Sequence, residues 1–548
     1  MLNFKIMKKL KKYFFVIIIL ATISCEDYLD TQPFSFVSLD NFYKTPDEAE
    51  IALTGVYNIL SANQVEQNFG NNSTYSRNLM VMLNGATDET LARDNSLNPD
   101  YVVWGNGTFT AQSNFINEAW VFFYSGISRA NYLIERIEQI EGFEGNRKNE
   151  IIAEARLLRG FYHMMLSMMH GGIPVYAFSD EDPLKSRNTI EEVYELVLSD
   201  YEFAYNTLPN RADKIGRVNK WTAAGLLAKA HTYLASAKIS GLNGFIDINS
   251  FDWVDSNQHY TQALNYTQDI ISSSGYQLTA NYDYLFRETT KQQQYEETLL
   301  SAEASSSPTI NVVNIISNAF TPQGNINITG GGFGWFRPTN ELYEIYAEGD
   351  FRRDHNLTGN MTNINNFESI EGVRYYVPNT LPNTQVGFYC IGKYRMMDPA
   401  EKNLPNWASN INLPILRYAD ILLLHAEALY FTGNEANARN FLSQVRARSI
   451  NDGFSITDLN NAYQKSDFVE ELLEERSREL CFESWRRIDL ARFNRFNESI
   501  NNLSTEVGFY NIRVAPTIKD NWRPERAWFP IPTIQLDLNE NLIQNQGF

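Results

Sequence analysis

Cysteine is nearly absent, with three in 548 residues at Cys25, Cys390 and Cys481. So few thiols exclude a disulfide framework, and their spacing excludes a structural zinc site. A single bridge between Cys390 and Cys481 stays open, with two buried thiols the favoured reading. Histidine is scarce as well, six in all. None is placed as in H-E-x-x-H, so His163 and His170, seven apart on a methionine-rich stretch, read as satisfied core or groove histidines. Positive charge is in deficit: 46 Lys and Arg against 65 Asp and Glu give a net charge of −19. That balance excludes nucleic acid and anionic lipid as main partners, because phosphates need Lys and Arg to displace their counterions. Long apolar runs are missing too. The run from Tyr13 to Ala21 is too short for a permanent membrane span, and no other is long enough.

Catalytic signatures are also lacking. Gly387 to Lys393 has the G-x4-G-K spacing of a phosphate loop, but Tyr394 stands where Ser or Thr would hold magnesium, and the flanks are not Rossmann-like. The stretch from Gly126 through Ser128 to Ala130 misses the last glycine of a nucleophile elbow. Paired carboxylates for glycoside hydrolysis exist in any chain with 65 acids, yet none is singled out. A glycoside hydrolase is therefore the most distant reading, and no cofactor is implied. No D-x-D-x-D-G loop is present, although acid-rich loops leave a structural calcium open.

What is present begins with a targeting segment, residues 1–24. Lys5, Lys8, Lys9, Lys11 and Lys12 precede the short apolar run, and small Ser24 precedes Cys25. This is the arrangement of a bacterial lipoprotein signal, with Cys25 as the lipidated, palmitate-bearing residue. MKKLKK at Met7 is an alternative start to Met1. The mature chain is expected to be soluble and tethered.

Helical periodicity dominates the rest. Tyr418 to Phe431 is almost wholly apolar, interrupted by Asp420, His425 and Glu427, and reads as a buried helix. Gly433 suits a left-handed cap, and Asn434 caps a second helix with the stripe Ala438, Leu442 and Val445. The small residues Ala426 and Ala438 give the close approach of a tetratricopeptide-type hairpin. One hairpin cannot bury its own faces. Three more are expected, and the four span approximately 46–61 with 117–141, 151–170 with 190–208, 221–235 with 258–274, and 414–431 with 434–449. Thr45 with Glu48 and Thr189 with Glu192 predict capping boxes. A further helix is expected from Phe468 to about Phe493. The fold class is mainly α: four tetratricopeptide-like hairpins in a right-handed superhelix, carrying an irregular, loop-rich subdomain.

The organisation that follows is an N-terminal helical part, 25–275, with an insertion at 62–114; an irregular region, 276–413; and a C-terminal helical part, 414–548. Long non-helical insertions on a helical scaffold are where binding surfaces usually sit.

Four separated stretches resemble one family. EARLLRGFYHMMLSMMHGGIPVY (154–176), LRYADILLLHAEAL (416–429), ERSRELCFESWRRIDLARF (475–493) and WFPIPTIQLDLNENLIQN (528–545) are similar, in this order, to the SusD/RagB family of outer-membrane lipoproteins. The resemblance implies a surface-exposed outer-membrane lipoprotein of a Gram-negative bacterium. It would bind a glycan, without catalysis, and act as the lid of a TonB-dependent transporter of the SusC type. Capture of peptides or another nutrient by the same lid is the alternative. Within the shared stretches, Arg417, Asp420, Glu427, Arg478, Glu479, Arg486, Arg487 and Asp489 are expected to form buried ion pairs. Ligand contacts are expected from the two insertions: Asp88, Trp104, Tyr284 and Trp335 first, then Arg93, Asn106, Phe333, Phe336 and Arg337. Aromatic faces stack on sugar C–H faces, while Asp, Asn and Arg bond hydroxyls.

Overall fold

The computed structural model describes residues 42–61, 63–64, 72–92, 99–242, 246–305, 314, 316, 320–321, 334–358, 367–370, 373–376, 390–394, 409–504 and 515–548. The principal helices are α1 (Pro46–Ser61), α2 (Asn114–Arg136), α3 (Arg147–His170), α4 (Ile190–Thr207), α5 (Lys220–Ser240), α6 (Ser256–Ser273), α7 (Tyr418–Phe431), α8 (Glu435–Ala447), α9 (Phe468–Leu480) and α10 (Arg486–Arg492). Four short strands matter to the site: β1 (Thr90–Ala92), β2 (Thr298–Ala302), β3 (Phe336–Pro338) and β4 (Leu413–Arg417). No helix of the described residues is long and apolar enough to cross a membrane.

The pairs α1–α2, α3–α4, α5–α6 and α7–α8 pack as helical hairpins. Neighbouring hairpins meet through α2–α3, α4–α5 and α6–α7, so each buries the face its neighbour exposes. The helix starts follow from local chemistry. Thr45 N–H donates to Glu48 Oε2 at 2.9 Å while Glu48 N–H donates to Thr45 Oγ1 at 3.3 Å. Thr189 and Glu192 form the same reciprocal cap at α4. Gly433 takes φ +91° and Asn434 caps α8. Ala426 and Ala438 are fully buried where α7 meets α8. Gly126 allows α2 to approach α3: a Cβ there would lie 2.5 Å from the Tyr162 ring and 3.0 Å from Ile59.

Two expected helices differ from what forms. The fourth hairpin begins at Tyr418, because Leu413–Arg417 is extended and pairs antiparallel with β2. Pro414 disfavours a helix at its preceding residue and supplies no N–H, and all five residues of β4 are buried. The expected helix 468–493 is broken between α9 and α10, where Phe482 (φ +62°) and Ser484 (φ +66°) turn the chain. The turn presents Phe482 N–H to Glu89 Oε2 at 3.2 Å and the Glu483 carboxylate to Arg417 and Lys393.

Charges buried around α7, α9 and α10 hold the hairpins in register. Asp420 lies 2.6 Å from Lys229 and 2.8 Å from Arg476. Burial raises the Asp420 carboxyl, but those two cations outweigh it and hold it well below the usual range. Arg476 and Arg492 share Asp489, and Arg492 reaches Glu427 at 2.6 Å. Arg478 pairs with Glu475 at 3.0 Å, and Arg417 contacts Glu297, Glu479 and Glu483. Arg487 is the exception. It meets no carboxylate among the described residues and packs over Phe529 at 4.4 Å, donating to Arg526 O at 2.6 Å. Burial, aided by Arg526, pushes its guanidinium down to about 9.

Cys390 and Cys481 are free and buried, and burial pushes the Cys481 thiol up to about 12. His163 is a satisfied core histidine. Its Nδ1 meets Arg159 O at 3.0 Å, Tyr176 N–H donates to its Nε2 at 3.3 Å, and burial pushes it down to about 4. His170 Nδ1 meets Pro530 O at 3.1 Å, tying α3 to the C-terminal segment.

Candidate ligand site

The first insertion and the irregular region meet through one two-stranded ribbon. Thr90, Leu91 and Ala92 of β1 pair antiparallel with Pro338, Arg337 and Phe336 of β3. The ribbon places Asp88 and Trp335 at opposite ends, about 16 Å apart along an extended chain. Asp88 is held by Arg486, whose Nε donates to Oδ1 at 2.7 Å. Its neighbour Glu89 is buried, accepts from Ser477 Oγ at 2.8 Å and is pushed up to about 7 by burial.

At the other end, Trp335 is half-buried and leans on Tyr101, with ring centroids 4.5 Å apart at 37°. Tyr101 sits on the short helix Pro99–Gly105, and its hydroxyl accepts from Arg77 Nε at 3.4 Å. Arg77 stands over the Phe115 ring at 4.5 Å and lies 3.8 Å from Glu118 Oε2. Asn78 Nδ2 donates to the same Glu118 oxygen at 2.9 Å. Arg77 and Asn78 belong to a π-helical turn, Thr74–Leu79. Such turns interrupt regular hydrogen bonding and recur at functional sites. Buried Asn78 Oδ1, Thr74 Oγ1 and Tyr75 Oη on this turn have no partner among the described residues. Leaving such groups unpaired inside the protein is costly.

The remaining sequence-expected residues do not join this cluster. Trp104 is 0% exposed, stacked on Phe109 at 4.4 Å with Phe529 edge-on beside the stack at 5.3 Å, so protein encloses the ring. Phe336 is buried against Phe320 at 5.0 Å. Arg337 is buried and donates to Cys390 Sγ. Asn106 closes its own turn, Oδ1 accepting from Thr108 N–H at 3.1 Å, and its carbonyl accepts from Asn521. Tyr284 is half-buried on the 3-10 turn Tyr282–Phe286, where Tyr282 donates to Glu479 O in the charge network. Arg93, Phe333 and Cys25 lie outside the described residues. The sequence reading missed Arg77, Asn78 and Glu118. Arg77 and Asn78 sit in an Asn-rich stretch without periodicity, and Glu118 is one of many helix-surface acids. A cue was Tyr101, three residues before Trp104 in an insertion between helices.

The fold and the cluster define a class: helical hairpins carrying a polar and aromatic cluster where two insertions meet. The chain matches the SusD family over residues 296–548 and a family described as starch-binding, associating with outer membrane, over residues 27–234. It belongs to the SusD family. Among its relatives, SusD-like protein P38 of Formosa agariphila is 27% identical over 516 residues, covering 89% of this chain and 93% of that protein. A SusD homolog from Bacteroides thetaiotaomicron superposes with a TM-score of 0.71 at 21% identity, covering 93% of this chain and 98% of that one. The surface glycan-binding protein A of the same bacterium, solved with laminarihexaose, superposes at 0.67 with 19% identity, covering 92% of this chain and 100% of that one.

Proposed function

We propose that this protein binds an oligo- or polysaccharide at the cell surface, without turning it over, and delivers it to a TonB-dependent transporter of the SusC type as the lid of that transporter. The observation that carries this reading is the Tyr101–Trp335 pair beside Arg77, Asn78 and Glu118. A partly exposed indole offers a flat face to the C–H side of a pyranose, and the Arg77 guanidinium and Glu118 carboxylate bond its hydroxyls at the edge. The glycan capture of a similar protein supports the ligand class. Lipidation at Cys25 would tether the chain to the outer membrane.

Titration calorimetry of the chain with laminarihexaose, other oligosaccharides and a peptide mixture tests the reading. Saccharide binding that Trp335→Ala weakens while the fold persists is the expected result. Heat from peptides alone would replace the ligand class. Release of shorter sugars by the purified chain would overturn the reading of binding without catalysis.

A further inference from the structure

The histidines fall into two groups. His163, His170, His355 and His425 are buried, and each has a ring nitrogen bonded within the core. His231 on α5 and His259 on α6 meet each other instead, with their Nδ1 atoms 2.8 Å apart. The ring centroids stand 4.9 Å apart, close to that nitrogen separation plus one ring radius on each side, so the two nitrogens point at each other. Ala235 and Ala263, fully buried in one cluster, let α5 and α6 come this close. Aromatic neighbours orient both rings. Tyr266 stacks on His231 with centroids 6.0 Å apart at 10°, and Trp253 stands edge-on to His259 at 6.1 Å. His231 is 6% exposed, whereas His259 is half-buried and reaches solvent, so the pair has a dry side and an open one.

We propose that His231 and His259 bind one divalent transition-metal cation of the Zn²⁺ or Cu²⁺ kind, and that the ion clips α5 to α6. Imidazole nitrogen is a preferred ligand of these ions. Zn–N bonds of about 2.0–2.1 Å in a tetrahedral site set two nitrogens about 3.3 Å apart, so the pair opens by about 0.5 Å to admit the ion. The hydrogen now held between the rings moves to Nε2 of its own ring. Both Nδ1 lone pairs are then free, and no proton leaves the protein. No third histidine, cysteine or carboxylate completes a ligand group with the pair among the described residues, so water fills the remaining positions on the open side. Asp255 caps α6 one turn before His259, and its carboxylate adds negative charge nearby without ligating the ion. The pair shares no residue with the Tyr101–Trp335 cluster, so it stands independently of the saccharide reading.

Calorimetric titration of the full chain in detergent with Zn²⁺, on protein carrying no polyhistidine tag, tests the site. The parent is expected to bind one equivalent that excess Mg²⁺, an oxygen-seeking ion, does not displace. His259→Gln and His231→Ala should each weaken that binding about tenfold or more, since even the outer partners of metal ligands are worth that much. His259→Gln changes a half-exposed residue and should leave the helical circular dichroism of the metal-free chain unaltered. Zn²⁺ should raise the melting temperature of the parent and not that of His259→Gln. Equal Zn²⁺ affinity in the parent and His259→Gln would overturn the proposal, leaving the pair as an interhelical hydrogen bond and the ion on the acidic surface. Displacement by Mg²⁺, or no Zn²⁺ binding by the parent, would overturn it as well.

Discussion

Replacing Arg417 by methionine removes one cation from a pocket shared by three carboxylates. Its Nε donates to Glu483 Oε2 at 2.8 Å, and Nη1 donates to Glu297 Oε1 at 2.6 Å and Glu479 Oε1 at 2.9 Å. Nη2 adds Glu483 Oε1 at 2.9 Å and the Glu479 carbonyl at 3.0 Å. The pocket is dry: Arg417, Glu297 and Glu479 have no exposed side-chain surface. Each acid keeps at least one other cation after the substitution. Glu483 keeps Lys393, Glu297 keeps Arg448, and Glu479 keeps Arg352 and Arg448. No carboxylate is wholly abandoned, so the loss is that of a broken buried pair, about 3–5 kcal/mol, rather than the sum of five charged hydrogen bonds. Arg417→Lys keeps the charge with at most three donors and should fall between the two. Urea denaturation followed by far-UV circular dichroism, at fixed pH and salt, measures both. A loss below about 1 kcal/mol for Arg417→Met, or a lysine variant equal to the parent, would refute the claim that this guanidinium fastens β4 to α9.

Three further outcomes follow from other parts of the molecule. The Glu89 carboxyl is raised from 4.5 to about 7 by burial, so its stabilising contribution is full below about 4.5 and is lost as pH rises through about 7. Glu89→Gln should match the parent near pH 5 and exceed it by about 2 kcal/mol near pH 8.5 in paired urea titrations; a parent that gains on the variant as pH rises contradicts the sign. Gly126→Ala drives a methyl group into the Tyr162 ring and should cost about 1–3 kcal/mol, whereas Gly55→Ala, whose nearest neighbour is Arg129 at 4.0 Å, should be neutral or stabilising in thermal melts. A thiol reagent should label neither Cys390 nor Cys481 until the chain is unfolded, since both are buried.

The hairpins were legible because helix pairing writes itself into spacing. Ala426 against Ala438, Gly433 with Asn434, and the two capping boxes are local signals with local causes. Strand β4 was not legible. Leu413, Ile415 and Leu416 are as apolar as the helix that follows, and the partner that makes them a strand lies over a hundred residues earlier. The break at Phe482 and Ser484 was hidden for the same reason, since the turn is stabilised by Glu89, Lys393 and Arg417 from distant segments. The expectation of buried ion pairs rested on charges inside apolar helices and needs only that they find partners; Arg487 shows that a planar guanidinium can pack on aromatic rings instead. The candidate site was legible in region and only partly in residues. An insertion rich in aromatics does not reveal which ring faces outward. Trp104 and Trp335 look alike in sequence, yet Phe109 and Phe529 cover one, while Tyr101 leaves part of the other exposed.

The measurement that bears most directly on the proposed function is the affinity of the folded chain for oligosaccharides, compared across the parent, Trp335→Ala, Arg77→Met and Trp104→Phe. The account predicts saccharide binding by the parent and a loss of about 1–3 kcal/mol in affinity for Trp335→Ala, the worth of one stacked aromatic face. Arg77→Met should also weaken binding, and Trp104→Phe should leave it unchanged. Equal affinity in the parent and Trp335→Ala would contradict the placement of the site, and no saccharide binding by any form would contradict the function.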